Sequence, residues 1–95
     1  MKKQIWKFPI GQGLVGTVVR IPWGYRIVYV DIQRSTVCVW AEVNPEHSAV
    51  EVEFEIIGTG HEINRDVNID KVYIGSVKDD PFMWHVYQVN RLTDG

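Results

Sequence analysis

Residues 50–57 read VEVEFEII, and this alternation limits the fold more than any other stretch of the chain. Val50, Val52, Phe54 and Ile56 fall on one side, and Glu51, Glu53 and Glu55 on the other. Side chains alternate with period 2 along a strand, so the stretch predicts a β-strand with one dry face and one wet face. The glutamate row reads most simply as a solvent face that discourages edge pairing. The strand runs into Gly58-Thr59-Gly60-His61. Two glycines around a threonine let the backbone turn sharply and let another group approach closely.

The remaining segments also read as strands. Ile5, Lys7 and Pro9 oppose Trp6, Phe8 and Ile10 in a first strand over Lys3–Pro9, where the proline points to an edge or a strand end. Gly11-Gln12-Gly13 and Gly16 mark a turn. Thr17–Ile21 is a short β-branched strand closed by Pro22-Trp23-Gly24. In Tyr25–Gln33, Val28, Val30 and Ile32 oppose Ile27, Tyr29 and Asp31. Both faces are largely apolar, which predicts a central strand covered on both sides, or on one side by a partner chain. Arg34-Ser35 joins it to Thr36–Val43, where four core-type residues alternate with Thr36, Cys38, Trp40 and Glu42, and an antiparallel hairpin is expected.

Asn44–Ser48 is a polar loop. His61–Asp70 reads as an irregular excursion held down by Ile63, Val67 and Ile69. Lys71–Val77 is a strand with a bulge at Gly75, Lys78–Pro81 a hairpin loop, Phe82–Val89 the last strand and Arg91–Gly95 a tail. Seven strand candidates and no capped 3.6-residue period predict an all-β fold. An antiparallel β-sandwich or half-open barrel in one domain over residues 1–95 is expected.

Composition narrows the function. A chain of 95 residues supports one modest core. A net charge of -2 argues against binding long nucleic acid, which needs a basic face, but leaves room for a small anion held by a few donors. The single cysteine, Cys38, allows no internal disulfide and suits a reducing cytoplasm. No apolar run approaches the ~18 residues of a membrane span. Met1-Lys2-Lys3 is followed by Lys7 and Pro9 rather than by an apolar signal core. A soluble, unexported protein without a membrane partner is expected.

Successive N–H groups in a glycine turn can form a concavity for phosphate or carboxylate, so Gly58, Thr59 and Gly60 are candidate anion contacts, with His61 adding a donor. The alternative is a plain strand-ending turn in which His61 caps a carbonyl. The stretch is no Walker motif, lacking the Lys-Ser/Thr pair and a following helix. Trp84 and His85 are adjacent and face opposite sides of their strand. Trp84 shares a face with Phe82 and Val86 and reads as core; His85 lies with Met83 and Tyr87 on a second face that could be a pocket, an interface or a half-wet surface, which makes His85 a further candidate ligand contact. Trp40 also stands on a second face, where tryptophan serves as a ligand platform, an interface or a second core layer. His47, His61 and His85 show no metal-ligand spacing, so no metal or cofactor is expected. Cys38 sits in an apolar strand and reads as an inert thiol. Asp79-Asp80 and the Asp66/Asp70 pair look like solvated turn residues, and no catalysis is expected.

Five pieces of the chain carry a family resemblance: Ile5-Trp6-Lys7-Phe8-Pro9, Cys38-Val39-Trp40-Ala41, Gly58-Thr59-Gly60-His61 with Ile63, Tyr73-Ile74-Gly75-Ser76 and Trp84-His85-Val86-Tyr87. On these the chain resembles a family of small proteins of unknown function encoded mainly by bacteriophages and prophages. The resemblance implies a small β-rich phage protein acting inside the bacterial host, and supplies no activity. By analogy of size and setting, it sits near small phage proteins that oligomerise and sequester nucleotide-type immune signals.

Two functions are therefore expected. In the first, a homo-oligomer binds an anionic small molecule, such as a cyclic nucleotide or an ADP-ribose derivative. Phosphate would lie on Gly58–Gly60 and His61, and a base on Trp40 or Trp84. In the second, the aromatics are the interface of an interaction or assembly module.

Overall fold

The computed structural model describes residues 2–11 and 16–92. Its seven strands are β1 (Gln4–Gly11), β2 (Gly16–Pro22), β3 (Arg26–Gln33), β4 (Thr36–Val43), β5 (Ala49–Gly58), β6 (Ile69–Asp79) and β7 (Phe82–Arg91). They form two antiparallel sheets, ordered β1-β4-β3 and β2-β5-β7-β6. No helix occurs among the described residues. The expected turn at Gln12-Gly13 and the end of the expected tail lie outside them.

The two sheets pack face to face as a sandwich. Alternation decides which residues meet between them. Val37, Val39, Ala41 and Val43 of β4 face Val52, Phe54 and Ile56 of β5, with Ile10, Ile21, Val77 and Val86 completing the core. Phe54 is the largest fully buried side chain. The flanks are closed by packing rather than by hydrogen bonds: β1 lies against β2, and β3 against β6. At the second flank Val30 Cγ2 comes within 3.4 Å of where a Cβ on Gly75 would stand. The sheets therefore do not join into a closed barrel.

Two hairpins form locally. Arg34 and Ser35 both have positive φ, 50° and 64°, as a two-residue type I′ turn requires. Asp80-Pro81, joined by a cis peptide bond, links β6 to β7.

Several sequence expectations need correction. β3 is an edge strand; β4 is the central strand of its sheet. Its apparent two-sided apolarity comes from a bulge between Ile27 and Tyr29. The extra residue puts Ile27, Val30 and Ile32 on the core side and leaves Val28 and Tyr29 exposed. The glutamate row is not a plain solvent face. Glu55 pairs at 2.8 Å with Lys71, whose side chain is almost wholly buried. Glu53 accepts two hydrogen bonds from Arg91, at 2.8 and 2.9 Å. Val67 holds nothing down, being 90% exposed; Ile63 and Ile69 are half-buried. The bulge expected at Gly75 is present, between Tyr73 and Gly75.

Candidate functional site

The end of β5 and the start of β7 meet where the sandwich runs out of cover. Phe82, Trp84 and Val86 share the core-facing side of β7. Val86 is buried, Trp84 half-buried and Phe82 56% exposed. The inner face of the four-stranded sheet thus emerges from beneath its partner at the β6–β7 hairpin. Phe82 and Trp84 stack there, ring centroids 5.4 Å apart and planes 25° from parallel.

The Gly58–His61 turn closes over this aromatic pair. Gly60 has φ +87°, and the His61 amide donates back to the Gly58 carbonyl at 3.1 Å. That reversal lays the His61 imidazole on Gly58. A Cβ at Gly58 would stand 2.7 Å from His61 Nδ1 and 3.1 Å from Trp84 Cζ3, so any larger residue would push both side chains aside. Thr59 donates its amide to the Met83 carbonyl at 3.3 Å, tying the turn to β7. The result is a recess of about 310 Å³ with His61 and Thr59 on one side and Pro81, Phe82 and Trp84 on the other.

His85 acts behind this recess rather than in it. It projects from the opposite face of β7, and both ring nitrogens are engaged. Nδ1 lies 2.7 Å from Ser76 Oγ and Nε2 2.7 Å from Thr59 Oγ1. Ser76 Oγ is in turn 2.6 Å from the Tyr73 hydroxyl. Four side chains from β6, β7 and the turn thus form one hydrogen-bonded row. A hydroxyl has one donor and two acceptor positions, so Thr59 keeps capacity for a further bond after meeting His85.

The fold brings Gly58, Thr59, Gly60, His61 and Trp84 together, with His85 one bond behind. Trp40 stands elsewhere. Val39 and Ala41 face the core, so Trp40 lies on the outer face of the three-stranded sheet, between Lys7 and Tyr29 in register. Its ring is 5.5 Å from that of Tyr29. The turn amides of Thr59 and His61 are spent on Met83 and Gly58, so side chains, more than backbone, are what this site offers a ligand.

The family model for DUF7352, a domain of unknown function, matches residues 1–94. The chain belongs to that family. No curated protein and no solved structure matches this DUF7352 chain.

Sequence reasoning missed Pro81 and the exposed part of Phe82. Alternation puts Phe82 on the core-facing side of its strand but carries no signal for where the facing sheet ends. It also missed Ser76 and Tyr73, which reach His85 only through the β6–β7 register. Of the other polar candidates, His47 is structural. It stacks on Trp23 at 3.5 Å, and its Nδ1 lies 2.8 Å from the Trp23 carbonyl. Its Nε2 lies 3.1 Å from Asn44 Nδ2. The neutral Nδ1–H tautomer satisfies both contacts. Cys38 is 2% exposed, and burial pushes its thiol above the ordinary value. No cluster of metal-ligating side chains occurs among the described residues, and no described helix is long and apolar enough to cross a membrane.

Proposed function

We propose that the protein is a non-catalytic receptor for a small, ring-bearing anionic ligand, taken in the recess between the Gly58–His61 turn and the Phe82–Trp84 pair. A single observation carries the reading: a partly exposed aromatic stack stands beside an exposed imidazole and an oriented hydroxyl. A flat ring gains by stacking on Phe82 and Trp84. Its acidic group is then within reach of His61 and Thr59, the second held in place by His85. A nucleotide-derived molecule such as a cyclic nucleotide or an ADP-ribose derivative has both parts. The setting we propose is the one the sequence resemblance implies, a phage or prophage protein sequestering such a signal in the cytoplasm of its bacterial host.

The Thr59–His85 pair argues for binding over chemistry. A hydroxyl nucleophile needs an imidazole that can hold its proton, and a carboxylate behind the ring stabilises that charge. His85 has the neutral hydroxyl of Ser76 there instead.

The test is calorimetric titration with a panel of cyclic nucleotides and ADP-ribose derivatives. Binding by the wild type should weaken tenfold to hundredfold in His61→Ala, the worth of a charge-assisted hydrogen bond of ~1.5–3 kcal/mol. Unchanged affinity in His61→Ala and in Phe82→Ala would sink the assignment.

A second reading rests on a different surface. Val28, Tyr29 and Tyr73 are exposed together on the β3–β6 flank. Apolar side chains along such a seam suit contact with a second copy of the chain, as an assembly module would use.

A further inference from the structure

The outer face of the three-stranded sheet carries a second arrangement, independent of the turn. Lys7 is on β1, Cys38 on β4 and Gln33 at the end of β3. Lys7 Nζ reaches across β4 to donate to Gln33 Oε1 at 3.0 Å, which helps to seal Cys38 beneath it. Arg34 follows Gln33 at the exposed tip of the β3–β4 hairpin, held out by its positive φ. Pro9 and Thr36 floor the space between, an open recess of about 730 Å³.

Charge at this place is unbalanced. Lys3, just before β1, and Arg26, at the start of β3, both meet Glu42. Neither Lys7 nor Arg34 has a carboxylate within 4 Å among the described residues. The nearby acid is Asp31, cross-strand from Cys38; it keeps its charge, and its oxygens are turned to neutral donors rather than to either cation. Oδ1 accepts the Ile32 amide at 2.7 Å and Oδ2 the Tyr29 hydroxyl at 3.0 Å. In a chain of net charge -2, two cations without an ion-pair partner, set against the single carboxylate of Asp31, leave a local positive excess suited to an anion. Trp40 adjoins it. It is the direct cross-strand neighbour of Lys7, and Tyr29 flanks its other side.

We propose that this face binds a nucleoside diphosphate, with the diphosphate between Lys7 and Arg34 and the base on Trp40. The lysine supplies a point charge, and the guanidinium supplies paired donors matched to phosphate oxygens. Trp40 is half-buried with Tyr29 against it, and the exposed part of its ring is what a base would meet.

Calorimetry with inorganic diphosphate and with ADP tests this on the full chain. Both probes should bind, ADP more tightly, and both affinities should fall as salt is raised. Lys7→Gln and Arg34→Gln should each weaken both probes about tenfold or more, the loss expected of a charge-assisted contact. Lys7→Gln keeps most of the stem over Cys38, and circular dichroism checks that each variant is folded. Phe82→Ala, at the other site, should leave the diphosphate affinity unchanged. Undiminished binding in the double variant overturns the proposal, as does no binding of either probe at millimolar concentration. Diphosphate binding with no gain from the adenosine overturns the part assigned to Trp40.

Discussion

Phe54 has no exposed surface and sits where β5 crosses the centre of the sandwich. Removing its ring leaves a hole that the surrounding valines and isoleucines are too constrained to fill. Phe54→Ala should therefore cost about 3–5 kcal/mol in denaturant unfolding, a large part of the stability of a domain this size. Its neighbour Glu53 tests an interaction on the other face. The Arg91 guanidinium, by hydrogen bonding first and charge second, holds the Glu53 carboxyl below its ordinary value of 4.5. A carboxylate with a depressed value in the folded state stabilises the fold above its unfolded value. That contribution is lost as pH falls below 4.5 and through the lowered value. Solvent screens the pair, because Arg91 is exposed, so its contribution is small. Arg91→Ala should lower stability slightly at neutral pH and make the acid limb of the stability curve shallower.

The turn that ends β5 uses its two glycines for different reasons. At Gly58 the constraint is space, because a methyl group would meet His61 and Trp84. At Gly60 it is backbone conformation, because φ is +87° and nothing lies within 4 Å of the added carbon. Gly60→Ala should cost ~1–2 kcal/mol through left-handed strain alone. Gly58→Ala should displace His61 and Trp84, changing tryptophan fluorescence where Gly60→Ala changes stability with little spectral effect. At this scale the sequence was readable where one face is dry. The register of β4 and β5 followed directly from alternating valines and glutamates. It was not readable at β3, where one extra residue at Val28 shifts every later side chain to the other face. Nor could it show that Trp40 and the Gly-Thr-Gly-His turn lie on different sheets, or that Lys7 meets Gln33. Those relations depend on which strands pair, and pairing between distant segments leaves no local mark.

Among the described residues, the β3–β6 flank and the β6–β7 hairpin end are two of the places that leave apolar side chains uncovered. If a second copy covers the flank, light scattering at micromolar concentration should give at least twice the 11.0 kDa chain mass. Tyr73→Lys should then restore the single-chain mass, because a charge has no partner in an apolar seam. A single-chain mass for the wild type would leave both binding recesses complete within one chain. The strand order has a further consequence, for how the protein reaches this state. Only β3–β4 and β6–β7 are neighbours in sequence; β1 must find β4, β2 must find β5, and β5 must find β7 across the β6 segment. The entropy of closing those long loops is lost before the core rewards it. Refolding followed by stopped-flow should accordingly take milliseconds to seconds, with the two hairpins forming ahead of the sheets they belong to.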